Sequence, residues 1–481
     1  MAIHNRHLTR RSVLAGIGGS LGVLAIAACA QGTATQMPAE ESEPEEEAKQ
    51  AEEAPVMETV SVRAGWISND ASVIEPFYGD LLVASFEAAH PNIKVAWEGA
   101  PAREHHAKLA TQLAANEAPD VFHSDGVRYA LFRDSGYIND LAPFLQRDAG
   151  ALQGVIGPEF FRDPDGSTWG ISSSIGGVAT AYNTAHFDKF GVNRLPEGGI
   201  NWNPTDGGEF LEIAQELTQR GSTEADPVWG FFNNKQITGD VLSLLVQNGT
   251  NFLSDDYRRS RIHEPEFMEV VEFLHNLEFK WQVSPNPEHV ALLLEAIPEG
   301  QTYHAPFAFQ RTAMMNLLMG QSGRWGGPDP ESLPVVAVKF LSGPQNDKVP
   351  SGGRVMEHWG SSQQPDEAWD LMRFFLTDHE VNIATFTILK SGLPPNTNFW
   401  DDERLYVKSG RPPREIEAYM ATLREGKGYY WQVNGVWSAW IGAYRTGQGA
   451  IWAGEATVEE AMQQASKEAQ AALDEYYADK G

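Results

Sequence analysis

Fourteen tryptophans are spread through 481 residues, and several stand within a few positions of planar polar groups. In AGWISND, Trp66 precedes Asn69 and Asp70; in FHSDGVR, His123, Ser124 and Asp125 are consecutive. WGFFNN sets Trp229, Phe231 and Phe232 before Asn233, and GYYWQVNGVWSAWIGAYR carries Trp437 and Trp440. Trp325 in SGRWGG, Trp359 beyond Gly352-Gly353, and Ser174 closing the serine run of GISSSIG complete the set. Flat rings beside amides, carboxylates and hydroxyls suit the capture of a solute with an apolar face and a rim of hydroxyls. Plainer readings stand beside this one. Asn69-Asp70 and Asp125 are residue types that cap helices, and half of the aromatics in 229–232 are expected to be packing. Trp437, Trp440 and Ile441 share a helical face, which claims at least one tryptophan for a core.

Sites for bond-making chemistry are missing where they would be sought. There is no HExxH and no cysteine pair, and DPDG (163–166) lacks the later ligands of a calcium loop, so it reads as a turn. His105 and His106 are adjacent and point to different sides of a helix, which argues against a shared metal. No phosphate-binding loop or GxSxG occurs, and the serines at 172–174 lack the spacing of a nucleophile elbow. Neither a cofactor nor a metal is expected. A pair of carboxylates at hydrolytic separation remains open among 65 acidic residues, so an exported carbohydrate-processing enzyme is an alternative, as is an acidic surface scaffold.

The elements that must position the candidate residues follow from periodicity. TVSVRAGWI (59–67), NIKVAWEG and DVFHSD read as strands, separated by helical segments at 75–91 and 103–120. Alternation of this kind argues for an α/β fold with a mainly parallel sheet. Ligands of open α/β sheets bind beyond the carboxyl ends of strands, where Trp66 to Asp70 and His123 to Asp125 fall. Later segments repeat the pattern, with Phe210, Ile213, Ala214 and Leu217 on one helical face and Trp369, Met372 and Leu376 on another. The final helix opens with a capping box, Thr457 and Glu460.

Before this body, Arg6, Arg10 and Arg11 lead an apolar run that ends at Cys29, the only cysteine. The layout is that of a signal peptide over 1–28. Thr9 to Leu14 resembles a twin-arginine export signal, and Ile26 to Cys29 resembles a bacterial lipobox, whose cysteine is lipidated and becomes the first mature residue. An uncleaved anchor with a buried thiol is the alternative. Residues 29–56 are glutamate-rich and without aromatics, a solvated tether. All of this places the body outside the cytoplasm, held at the membrane by its lipid. The net charge of −29 and the lack of a basic stripe exclude nucleic acid and favour a neutral or cationic ligand.

FEAAHPNIKV, KLATQLAANEAPDVF, DSGYINDLAPFL, DGSTWGIS, GVATAYNTAHFDKFGV, NWNPTDGGEFLEIAQELT, Gly352-Gly353, DEAWDLMRFFLTDHE and ATVEEAMQQASKEAQAAL occur in one order. Together they resemble the family 1 extracellular solute-binding proteins, the maltose-binding-protein-like sugar receptors of ABC importers, from about Thr59 to the C-terminus. The resemblance implies a class II periplasmic-binding fold with three crossovers between two lobes. It places lobe 1 at 57–176 and 340–392, lobe 2 at 177–335 and 396–481, and the ligand in the cleft between them. It further implies polar ligand contacts in the loop after the first strand, stacking aromatics near 229–232 and near Trp437 and Trp440, an ABC permease as partner, and a monomer that binds rather than transforms its solute. Phosphorylated cargo is disfavoured, because the candidate loops show no arginine cluster.

Overall fold

The computed structural model describes residues 58–478 except 69, 164, 222–226, 296–304, 320–331, 407–414 and 431–432. Arg10, Arg11, Cys29, the tether, Asn69 and Trp325 lie outside the described residues. Eleven strands occur among those described: β1 Val60–Ile67, β2 Ile93–Ala100, β3 Val121–Asp125, β4 Ile171–Ser172, β5 Val178–Asn183, β6 Trp229–Phe232, β7 Thr312–Leu318, β8 Val335–Lys339, β9 Val349–Pro350, β10 Arg354–His358 and β11 Gly428–Tyr429.

They form two main sheets and a small third one. The first runs β2-β1-β3-β10-β4, with β1 parallel to β2 and β3, and β10 antiparallel to β3 and β4. The second runs β6-β7-β5-β8, and β9 pairs with β11. The two larger sheets define two α/β lobes. Alternation in β1 sends Val62, Ala64 and Trp66 into the apolar layer beneath the helix Pro365–Thr377, whose Trp369, Met372 and Leu376 are buried as their spacing requires. In the second lobe the helix Gly208–Gly221 rides on β6, where a Cβ at Gly230 would collide with the carbonyl of Ala214. Glycine there permits the close approach.

Two expected helices are altered. The segment 75–91 divides into a wide π-type stretch, Glu75–Val83, and a short helix, Ala84–Ala89. The amide of Ala84 reaches back to the carbonyl of Gly79, the i→i+5 pattern of a π-helix. The second helix, Ala102–Ala114, stops short of 120 because Asn116 takes a left-handed φ of 58°. The capping box of the last helix forms as expected: the Glu460 amide donates to Thr457 Oγ1 at 3.2 Å, and the Thr457 amide to Glu460 Oε2 at 3.1 Å.

The chain passes between the sheets near 175, 352 and 393, and these crossings are bonded to one another. Ile175 and Leu393 exchange both backbone hydrogen bonds at 2.8 Å, and Gly176 and Gly352 do so at 2.6 and 3.2 Å. Gly352 has φ 154°, and a Cβ at Gly353 would overlap the Ser174 carbonyl, so side chains are excluded where the crossings meet. β8 pairs within the second sheet, while residues 396–406 stay against the helix His379–Thr387 through Arg404–Glu380 at 2.7 Å and His379–Asp402 at 2.9 Å. The largest apolar cluster spans both lobes: Tyr430 packs on Phe160 and Phe161 of the first, with centroids 5.5 and 4.5 Å away.

Candidate ligand-binding cleft

A cavity of about 390 Å³ opens where the carboxyl end of the first sheet faces the helix Trp437–Trp452. Its walls are Val127 from the turn after β3, the run Asn234 to Thr238 after β6, and Trp437, Ile441, Arg445 and Gln448 from the helix. These four recur at helical spacing, so a single face of that helix is presented to the cavity.

The helix itself separates the two tryptophans. Trp440 is fully buried, its Nε1 donates to Asn434 Oδ1 at 3.0 Å, and its ring lies 5.6 Å from that of Phe252. Trp437, at the first helical position, is half-buried and lines the cavity. Asn434 organises this start by accepting the Trp437 amide hydrogen bond at its carbonyl and by donating Nδ2 to the Tyr257 carbonyl.

The opposite wall is built from β6 outward. Phe231 packs edge-on to Phe210 at 4.9 Å in the core, and Trp229 lies against His289 at 5.2 Å, away from the cavity. Asn233 is buried and anchors the loop, donating Nδ2 to the Leu274 carbonyl at 3.0 Å and to Glu278 Oε1 at 2.9 Å. Beyond it, Lys235 takes a left-handed φ of 56° and places Nζ 2.6 Å from Glu278 Oε1, over the ring of Trp452. Burial pushes the Glu278 carboxyl upward, while the Lys235 charge opposes the shift. Asn234 Nδ2 and Gln236 Oε1 are buried atoms without a protein partner. A donor and an acceptor left unmade at a cavity wall are what an incoming polar solute satisfies.

Under this loop a second wide π-type stretch, Ile237–Val241, holds Asp240. Its carboxyl accepts Asn316 Nδ2 at 3.1 Å and the Gln236 amide at 3.2 Å, and burial pushes it up to about 7.

On the first lobe, Ser124 is buried at the end of β3, and Asp125 caps the turn by accepting the Arg128 amide at 3.0 Å while pairing with the Arg128 guanidinium. Asp70 is exposed; its hydrogen bonds from Ser72 hold its carboxyl below the usual range, the capping role that its type suggested. Trp66 is fully buried, stacked on Tyr78 at 5.5 Å. Trp359 is buried with Phe122 and Ile138, beyond the far end of β10. Ser174, Gly352 and Gly353 belong to the crossings, where Ser174 Oγ meets Ser391 Oγ at 3.0 Å.

Of the candidates named from sequence, then, Trp437 lines the cavity, Asp125 stands two residues from Val127 at its rim, and Asn233 anchors its loop. Trp66, Trp229, Phe231, Trp359 and Trp440 are side chains of the core. Asn234, Lys235, Gln236, Arg445 and Gln448 were not anticipated. The polar run that follows four buried strand residues, and the i, i+4, i+8, i+11 series from Trp437, were the signals available for them.

The sequence profile of the bacterial extracellular solute-binding protein family matches residues 64–382. No curated protein matches the chain. Similar solved structures include an ABC substrate-binding protein from Listeria monocytogenes in complex with cycloalternan, 19% identical with a TM-score of 0.67, covering 88% of this chain and 100% of that one. A cyclic alpha-maltosyl-1,6-maltose binding protein from Arthrobacter globiformis is 18% identical with a TM-score of 0.68, over 87% and 100%. The sugar-binding protein MalE from Xanthomonas citri is 17% identical with a TM-score of 0.69, over 87% and 98%. At these identities the likeness is one of fold.

Proposed function

Because the chain belongs to the bacterial extracellular solute-binding protein family, we propose that it is a carbohydrate receptor that delivers its cargo to an ABC-type importer by closing its lobes. One observation carries the reading: the cavity lies between the two lobes and joins a half-exposed tryptophan ring to unpartnered amide groups. Trp437 stacks on the C–H face of a sugar ring, while Asn234 Nδ2, Gln236 Oε1 and Gln448 bond its hydroxyls. Val127 lines the site from the first lobe, with Asp125 two residues before it in the same turn. The similar structures bound to or named for saccharides support a carbohydrate as the cargo.

Closure is favoured by contacts that the ligand makes to both lobes at once. Lobe 1 takes 57–176 and 340–392 and lobe 2 takes the remainder of 177–481, with 396–406 riding on lobe 1. The receptor acts as a monomer, exported under Arg10-Arg11 and held at the outer face of the cell membrane by a lipid on Cys29. Its acidic tether lets it reach the permease.

The test is thermal unfolding and calorimetric titration of the full chain against mono- and oligosaccharides and polyols, with chromatography of each compound afterwards. A cleft ligand stabilises by RT ln(1 + [L]/Kd), about 2.7 kcal/mol at one hundred times Kd. Binding of one related group of saccharides, returned unchanged, is the expected result. Turnover would favour the carbohydrate-processing alternative, and silence across the panel would favour the scaffold.

A further inference from the structure

The cleft differs in charge from the protein around it. The chain has 65 acidic residues against 36 basic ones, yet the lining of the cavity includes Lys235 and Arg445 and no carboxylate among the described residues. The two cations are not equivalent. Lys235 is compensated by Glu278, whose side chain is fully buried and makes its 2.6 Å ion pair there. Arg445 is exposed on the cavity face of its helix and makes no ion pair with any described residue. Two acids adjoining the lining residues are already engaged. Asp125 is paired with Arg128, and Asp240 lies beneath the loop with its oxygens taken by the Gln236 amide and Asn316. One cationic charge, presented as a guanidinium fork, is therefore left for whatever enters.

That balance selects a ligand. A guanidinium matches a carboxylate with two parallel hydrogen bonds. A phosphate monoester brings about −1.5 to −2 charges at neutral pH, more than a single free arginine compensates. Arg445 lies eight residues beyond Trp437, about 12 Å along the helix axis at 1.5 Å per residue. A ring stacked on Trp437 and an acid held by Arg445 thus belong to different units of one molecule. We propose that the cargo is a short acidic oligosaccharide of the uronic type, one unit stacking on Trp437 and the carboxylate of another bound by Arg445. This rests on the reading of the cleft as the solute site, and it replaces the neutral or cationic ligand that the net charge of the chain suggested.

The experiment compares matched pairs on the full chain by calorimetry: short oligouronides of glucuronic, galacturonic, mannuronic and guluronic type, each against its carboxyl-reduced neutral counterpart, with a phosphorylated oligosaccharide alongside. The expected result is that one acid binds about tenfold or more tightly than its neutral counterpart. Arg445→Gln abolishes that preference by weakening the acid far more than its neutral counterpart. Equal or tighter binding of the neutral compound, a preference that survives Arg445→Gln, or tighter binding of the phosphorylated compound overturns the proposal and leaves the receptor reading intact. Failure of every saccharide, acidic or neutral, removes the receptor reading with it.

Discussion

Replacing Trp437 and Trp440 one at a time with alanine separates two roles that lie three residues apart. Trp440 is fully enclosed and its indole N–H is satisfied by Asn434, so its truncation leaves a cavity and an orphaned acceptor. The expected cost is about 3–5 kcal/mol. Unfolding entropy near 2.1 cal/mol/K per residue, over a unit of roughly 400 residues, amounts to about 0.8 kcal/mol/K, so the variant should melt about 5 °C lower. Trp437 is half-exposed, and its removal should lower Tm by about 1 °C or less. Its loss should appear in binding instead. One indole face covering roughly 80 Å² of apolar sugar surface contributes about 2 kcal/mol at 25 cal/mol/Å², a change of about thirtyfold in Kd. Circular-dichroism melting without ligand and calorimetry with the identified saccharide read the two effects separately. The reasoning is refuted if Trp437→Ala binds as tightly as the native chain, or if it loses as much stability as Trp440→Ala.

Three further outcomes are expected. Asp240 has a folded pKa of about 7 against 3.8 for the free side chain, so its contribution to stability is fully present below about pH 4 and is lost as pH rises through 7. The three-unit shift bounds the loss at about 4 kcal/mol, and urea unfolding at pH 4, 5.5 and 8 should show a shallower decline for Asp240→Asn than for the native chain. Lys235→Met strands the Glu278 carboxylate in the interior and should cost about 3–5 kcal/mol, much of it recovered in the double variant with Glu278→Gln; a double variant no more stable than the single one would contradict the pairing. Thr457→Ala removes the reciprocal cap of the last helix and should lower stability by about 1 kcal/mol with no change in saccharide affinity, measured by the same two assays.

Much of the scaffold was legible because it depends on local period. The alternation in 60–67 and the 3.6-residue spacing of Trp369, Met372 and Leu376 state which side faces a core, and the structure agrees. The wide turns at 75–83 and 237–241 carry no such mark, since their hydrogen bonds skip to i+5 with no change in the spacing of apolar residues that would announce it. The site was read less completely. Trp437 and Trp440 were placed on one face, but Trp437 starts the helix and its ring turns to the cavity, whereas Trp440 enters the core with Asn434 as its partner. For Lys235 and Arg445 the polar run and the helical series from Trp437 mark a place in the chain but not what each side chain faces. The position of Lys235 is fixed by Glu278, forty-three residues along, and by a left-handed φ, and Arg445 faces the cleft only because its helix docks opposite the turn at Val127.

The glycine junction at 176, 352 and 353 bears on affinity in a different way from any residue of the cleft. With peptide groups in direct register and no side chain between them, the crossings form a backbone-only junction, and on the proposed closure the lobes would swing there. A methyl wedge such as Gly353→Ala overlaps the Ser174 carbonyl there, so it forces the crossings apart at a point outside the lining of the cavity. Apparent affinity scales with the fraction of molecules able to close. On the proposed reading, selectivity among solutes is set in the cleft, while the strength of their capture also depends on a junction outside its lining.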